Sequence, residues 1–291
     1  MGVLNLSIHA FSPAYFVQTD TQNTQIKTVL WPDATRRLLV SLGVLAAALL
    51  VFRITPAIDI FFSQPFFTEQ DCATAVEGVR CGRFNLVFDP FWRFIRAIGH
   101  ETPIYLMAAV CIHMTWLMMF NPNKTTADIY PPLVAIISAL LGPLLAVNLM
   151  LKEYWGRPRP FQTLYFGGDK PYVPPGNISN HCESNCSFVS GEAAAVFWVL
   201  ALMFYFSGKN RTRFVIAVAI LAAFFSMWRV SFGRHYISDV VAGGLISICM
   251  VAFAVWLLQT SMVRRWLLAM LKFSNTYAWG RHKLKNRNGP G

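Results

Sequence analysis

Charge is scarce in this chain: 13% of its 291 residues are Asp, Glu, Lys or Arg, against 55% that are hydrophobic. A soluble domain of this length needs more polar surface, so a soluble globule is excluded and a membrane protein is expected. Acidic residues are rarer than basic ones, and none follows Asp239. The polar loops hold no acidic cluster suited to magnesium, so neither a metal nor another cofactor is expected. The first 35 residues lack a basic stretch followed by an apolar core, which argues against a cleaved signal peptide. There is no internal repeat. The basic residues are split among loops, with no soluble domain to carry them, which argues against nucleic-acid binding.

Long apolar runs are abundant. Six of them, at 38–60, 103–120, 131–151, 192–207, 213–228 and 240–262, approach the ~20 residues that cross ~30 Å of hydrocarbon. The run at 192–207 is short, so its helix must begin near Ser187 or be held by polar neighbours. If the chain alternates, Lys27, Arg36, Arg37, Lys124, Lys209, Arg211, Arg213 and the basic residues from Arg264 onward share one side. That side is expected to be the cytoplasm. The organisation expected is an N-terminal cytoplasmic segment at 1–35, a six-helix membrane domain at 36–262 and a basic cytoplasmic tail at 263–291. A tail of this charge suits anionic lipid headgroups, although topological retention explains it equally well. Oligomeric state is not readable.

Four of the six cysteines fall in loops expected to face outward: Cys72 and Cys81 in the first, Cys182 and Cys186 before the fourth span. In an oxidising periplasm the local pairs Cys72–Cys81 and Cys182–Cys186 are expected bridges. A metal site would need all four to converge from two loops.

Three polar motifs interrupt the apolar pattern. In Lys152-Glu153-Tyr154-Trp155-Gly156-Arg157-Pro158-Arg159-Pro160, glycine and prolines stop the third span and stiffen the chain around cations that can fork onto phosphate oxygens. Lys152 alone reads as a residue snorkelling to the headgroups, but a basic cluster on the outer face opposes the usual charge bias. Ser187-Phe188-Val189-Ser190-Gly191-Glu192 opens into an apolar helix. A capping serine there is ordinary, and the unpaired first-turn amides are also an anion site. The third motif runs from Arg229 through His235 to Asp239. A histidine with an aspartate one helical turn on can be held by that carboxylate and attack with its other nitrogen, and such a pair is costly to carry into an apolar helix for no purpose.

In order and spacing these segments resemble the type-2 phosphatidic acid phosphatase family, whose signature is K-x6-R-P, P-S-G-H and S-R-x5-H-x3-D. The resemblance covers Lys152 to Asp239 and implies an all-α bundle of six transmembrane helices with its active site at the periplasmic membrane boundary. It implies a nucleophilic His235 oriented by Asp239, and Lys152, Arg159, Ser190, Gly191 and Arg229 as phosphate ligands, with Arg157 only a neighbour. Three positions depart from the signature: Val189 for proline, Trp228 for serine, and Glu192 for the histidine that protonates the leaving oxygen. A partly buried glutamate beside bound phosphate is expected to hold a proton and serve as that acid, with His181 as the other candidate.

The implied reaction is metal-independent hydrolysis of a phosphate monoester or pyrophosphate through a phosphohistidine. A site at the membrane surface favours a membrane lipid phosphate as substrate, lipid A before phosphatidic acid, undecaprenyl pyrophosphate or phosphatidylglycerophosphate. A lipid phosphotransferase uses the same residues. Glu192 keeps a non-catalytic lipid-phosphate binder or transporter open, although transporters place polar groups near the bilayer midplane and these spans nearly lack them.

Overall fold

The computed structural model describes residues 33–71 and 80–287, with two short strands, β1 (Phe16–Gln18) and β2 (Thr28–Leu30), paired antiparallel. Most of the expected N-terminal segment, including Lys27, lies outside the described residues, as does Cys72.

Helix α1 (Ala34–Ile54) is about 32 Å long at 1.5 Å per residue, a full crossing. It stops earlier than the apolar run at 38–60. Pro56 forces Thr55 out of the helical region, and the chain restarts as a separate short helix, α2 (Ala57–Ser63). Strands β3 (Phe67–Glu69) and β4 (Gly82–Phe84) then form a hairpin that pairs Phe67 with Phe84. Helix α3 (Pro90–Phe120) begins well before the expected 103, because Asp89 caps the backbone of Phe91 and Trp92 and Pro90 suits a first turn. Helix α4 (Thr126–Tyr154) opens on a Thr125/Asp128 capping box and runs in π-helical geometry over Leu140–Leu151. That stretch contains Pro143, which has no N–H to donate.

The fourth apolar run is the short helix α5 (Gly191–Tyr205). Its second half is wound as a 3-10 helix, whose steeper rise stretches the segment to roughly 26 Å. Helices α6 (Gly208–Ser231) and α7 (Ile237–Gln259) complete the apolar set, and α8 (Ser261–Arg287) follows after Thr260. Among the described residues five helices are long and apolar enough to cross a membrane, and α5 is a shorter sixth. Together they make an all-α membrane bundle.

Helix α7 is the central element, packed on α1, α4 and α5. Ala34, Tyr130, Phe204 and Leu258 meet in one core cluster, while Val147, Phe188, Val189 and Ala242 meet in another. The first joins the start of α1 to the ends of α5 and α7; the second joins the end of α4 to the start of α7. The helices therefore alternate in direction, and every polar motif comes to one end of the bundle. Leu39, Ile112, Ile220 and Leu221 are exposed on the outside, as a lipid-facing surface requires. Helix α8 is no loose tail over its first turns: Leu271 packs on Leu117 and Ile129.

Candidate active site

The carboxyl end of α4, the start of α5 and the α6–α7 turn converge because small residues let them. A Cβ on Gly191 would sit 2.6 Å from Asn148 Oδ1 and 2.9 Å from Lys152 Nζ. Only glycine lets the lysine lie against the first turn of α5. Ser190 is the N-cap, its Oγ accepting from Ala193 N at 3.4 Å, and its own N–H donates to the Asp239 carbonyl at 3.0 Å. The α5 start, expected near Ser187, is thus at Ser190, next to the turn of the third motif.

His235 is 1% exposed and precedes α7, with Tyr236 as the cap residue. Its Nδ1 lies 2.7 Å from the Ser187 carbonyl and 3.8 Å from Asp239 Oδ2. A carbonyl only accepts, so Nδ1 carries the proton and Nε2 keeps its lone pair. Burial depresses the imidazole to about 4, with Arg229 and Arg159 acting in the same direction against the pull of Asp239. The ring is neutral at pH 7. Asp239 thus acts on the imidazole at ion-pair distance, beside the shorter contact of the Ser187 carbonyl. Asp239 also accepts from Arg157 Nη1, the Ser187 hydroxyl and, at 2.9 Å, Tyr236 N.

Arg157 is far more than a neighbour. Fully buried, it donates from Nε to Val173 O at 2.8 Å, from Nη1 to Ser238 Oγ at 2.9 Å and to Asp239, and from Nη2 to Asp59 Oδ2 at 2.6 Å. Its guanidinium also lies 4.3 Å from the centroid of the Tyr236 ring. Burial opposes its charge, but Asp239 and Asp59 overcome that and hold its pKa above the usual arginine value. Asp59, on α2, also accepts from Ser238 N at 2.9 Å and Ser238 Oγ at 2.7 Å. The sequence reading passed over Asp59. Its signal was a carboxylate flanked by Ile58 and Ile60 in an apolar stretch, where an unpaired charge is costly.

The cations lie near His235, whose N–H donates to the Arg229 carbonyl at 3.3 Å. Arg159 Nη2 donates to Asn185 O and Oδ1 at 2.8 and 3.0 Å. Asn185 belongs to the loop closed by the Cys182–Cys186 disulfide, which forms as expected. Cys81 is also disulfide-bonded. Arg229 is 5% exposed, and its Nε stands 3.3 Å from Glu192 Oε2 without hydrogen-bond geometry. Arg159, Glu192 and Arg229 are among the charges that act on Lys152. Arg96, from α3, grips Glu192 at two points, Nη2 to Oε1 at 2.5 Å and Nε to Oε2 at 3.3 Å. Arg229 stands on its other side. His181 is exposed on the disulfide loop. Among the described residues, no three metal-ligating side chains gather as a metal site would need.

The end of α4, the start of α5 and the α6–α7 turn thus bring Lys152, Arg159, Arg229 and His235 together in one membrane bundle. Residues 131–262 match the PAP2 superfamily. A lipid A 4'-phosphatase of Rhizobium etli is 41% identical over 224 residues, 74% of this chain and 83% of its own length. One from Rhizobium leguminosarum is 41% identical over 220 residues, covering 74% and 92%. One from Francisella tularensis subsp. novicida is 30% identical over 221 residues, covering 75% and 92%. No solved structure matches. The chain belongs to the PAP2 superfamily and is a bacterial membrane phosphatase, a hydrolase of phosphoric monoesters.

Proposed function

We propose that this protein removes a phosphate from lipid A, as the names of its relatives describe for them, through a phosphohistidine on His235. The observation that carries the reading is the 2.7 Å contact of His235 Nδ1 with the Ser187 carbonyl, which assigns the tautomer. With Nδ1–H held on the Ser187 carbonyl, the Nε2 lone pair is the nucleophile, and it needs no base to remove a proton.

The substrate phosphate takes Arg229 from Glu192 and is held by Lys152, Arg159, Arg229, Ser190 and the first-turn amides at Gly191. Nε2 attacks phosphorus, the bond to the lipid oxygen breaks, and the ring's new positive charge is met by the Ser187 carbonyl and, behind it, Asp239. Water then attacks the phosphohistidine and releases inorganic phosphate. Glu192 is the proton donor to the leaving oxygen. Once a phosphate dianion replaces Arg229 beside it, its proton affinity rises, so the proton arrives with the substrate.

In this reading six helices cross the inner membrane, both termini are cytoplasmic and the site faces the periplasm. Support comes from Arg36, Lys124, Lys209, Arg213, Arg264 and Arg265, which sit at the ends of the helices away from His235. Residues 1–35 and 263–291 flank a membrane domain at 36–262, with the basic tail near anionic lipid.

The test is phosphate release by detergent-solubilised protein from lipid A and from a panel of other lipid phosphates, with the product mass determined. Loss of one phosphate from lipid A is expected. Salt-sensitive binding without release from any lipid would overturn the enzyme reading, and transfer of the phosphoryl group to a lipid acceptor would convert it to a phosphotransferase.

A further inference from the structure

Arg96 stands outside the segment that matches the family, 96 residues from the glutamate it grips. Its position is firmly built. Trp92, Arg96 and Gly99 fall at i, i+4 and i+7, one face of α3. Trp92 lies with its ring centroid 4.0 Å from that of Trp228, the neighbour of Arg229, and a Cβ on Gly99 would sit 2.4 Å from Phe225 Cδ1. The two contacts fix α3 against α6 on either side of Arg96 and aim its guanidinium at the start of α5. The bidentate grip on Glu192 is the geometry that best holds a carboxylate in one orientation.

Glu192 is otherwise a liability. A carboxylate one residue past Ser190-Gly191, ion-paired to Arg229, competes with phosphate for the same cation and repels it. We infer that Arg96 is a positioning residue of the active site: it offsets the charge of Glu192 and holds the carboxylate in one orientation beside the cations, so that Lys152, Arg159 and Arg229 can accept a phosphate group. This rests on the reading of that cluster as the phosphate site.

The two claims separate in one experiment: calorimetric titration of inorganic phosphate into the full-length protein in detergent. Wild type is expected to bind. Arg96→Ala should weaken binding by roughly tenfold, the size of an ion pair lost at a partly buried site. Arg96→Ala with Glu192→Gln removes one charge of each sign and should return affinity to within about threefold of wild type. Arg96→Lys, which keeps the charge but not the fork, should weaken binding less than Arg96→Ala does. A merely structural arginine predicts something else: thermal midpoints falling in parallel with affinity, whereas here the midpoints stay together. Wild type that fails to bind phosphate removes the phosphate-site reading itself. Wild type that binds while Arg96→Ala binds equally well, or is not rescued by Glu192→Gln, removes the role of Arg96 alone.

Discussion

Two of the buried arginines of this bundle, Arg157 and Arg229, have opposite surroundings. Arg157 is 0% exposed and has donors on Nε, Nη1 and Nη2 all engaged, with carboxylates at Asp59 and Asp239. Arg229 is 5% exposed, yet its Nε makes no hydrogen bond and faces one carboxylate that Arg96 already holds. A buried polar group is normally paired because leaving it unpaired is costly. Arg157 obeys that rule and builds a rigid floor under His235. Arg229 departs from it at Nε, its ion pair with Glu192 notwithstanding. A buried arginine with every donor engaged serves the scaffold, whereas one with a donor left over can still take an anion.

His235 sits between the two regions, and removing it has the largest expected effect. His235→Ala should lower phosphate release by on the order of 10⁴-fold or more, the loss typical of a covalent nucleophile, while the purified protein melts as wild type does. Retained turnover would move the nucleophile elsewhere. The depressed imidazole also sets the acid side of the profile. Between the ordinary histidine value and about 4 the unfolded chain binds a proton that the folded one does not, so stability falls as pH drops through that window. Activity should hold down to pH near 5 and fail toward 4. An inflection at the ordinary histidine pKa would contradict the burial of the ring.

Arg157→Met comes next and attacks the satisfied region. It leaves Asp59 and Asp239 buried without their cation, a loss of about 3–5 kcal/mol, to be read as a lower thermal midpoint in detergent. Asp59→Asn in that background should recover part of it, because one of the two stranded charges is gone. If Arg157→Met melts like wild type and only slows catalysis, the floor is a catalytic device rather than a scaffold.

The cation cleft was the legible half of this comparison. Lys152, Arg159, Ser190, Gly191, Arg229 and His235 stand in compact motifs, and interruption of an apolar pattern by charge is visible within a few residues. The floor and the Arg96–Glu192 pair were not. Arg157 meets Asp59 across 98 residues and Arg96 meets Glu192 across 96, and no local periodicity records a pairing of that range. His235 and Asp239 are one turn apart, but the helix starts at Ile237, and the imidazole also meets the Ser187 carbonyl. The apolar runs located the helices well, and their ends moved wherever a proline or cap overrode hydropathy, as at Pro56 and Asp89.

Glu192→Gln tests the unsatisfied region itself. An amide cannot deliver a proton, so turnover of the lipid should fall by roughly 10²-fold, while an aryl phosphate, whose leaving group needs little protonation, should be affected far less. Loss of the negative charge should at the same time tighten phosphate binding. Equal losses on both substrates would deny Glu192 the role of acid. If His181→Ala fails where Glu192→Gln does not, the proton comes from the disulfide loop.

The smallest effect expected is on the loop that holds Arg159. Asn185 accepts both bonds from Arg159 Nη2, and it lies inside the Cys182–Cys186 bridge. The loop has other ties: Cys186 N donates to Lys152 O at 3.1 Å and Ser187 N to Arg157 O at 2.8 Å. Replacing both cysteines with serine therefore loosens one ligand of the cleft and leaves the floor intact. The expected result is a KM raised by about threefold with kcat unchanged, since a more mobile Arg159 binds phosphate less well but the reacting nitrogen is held elsewhere. A fall in kcat at constant KM would instead mean that the bridge reaches His235 through Ser187, making the cleft and the floor one mechanical unit.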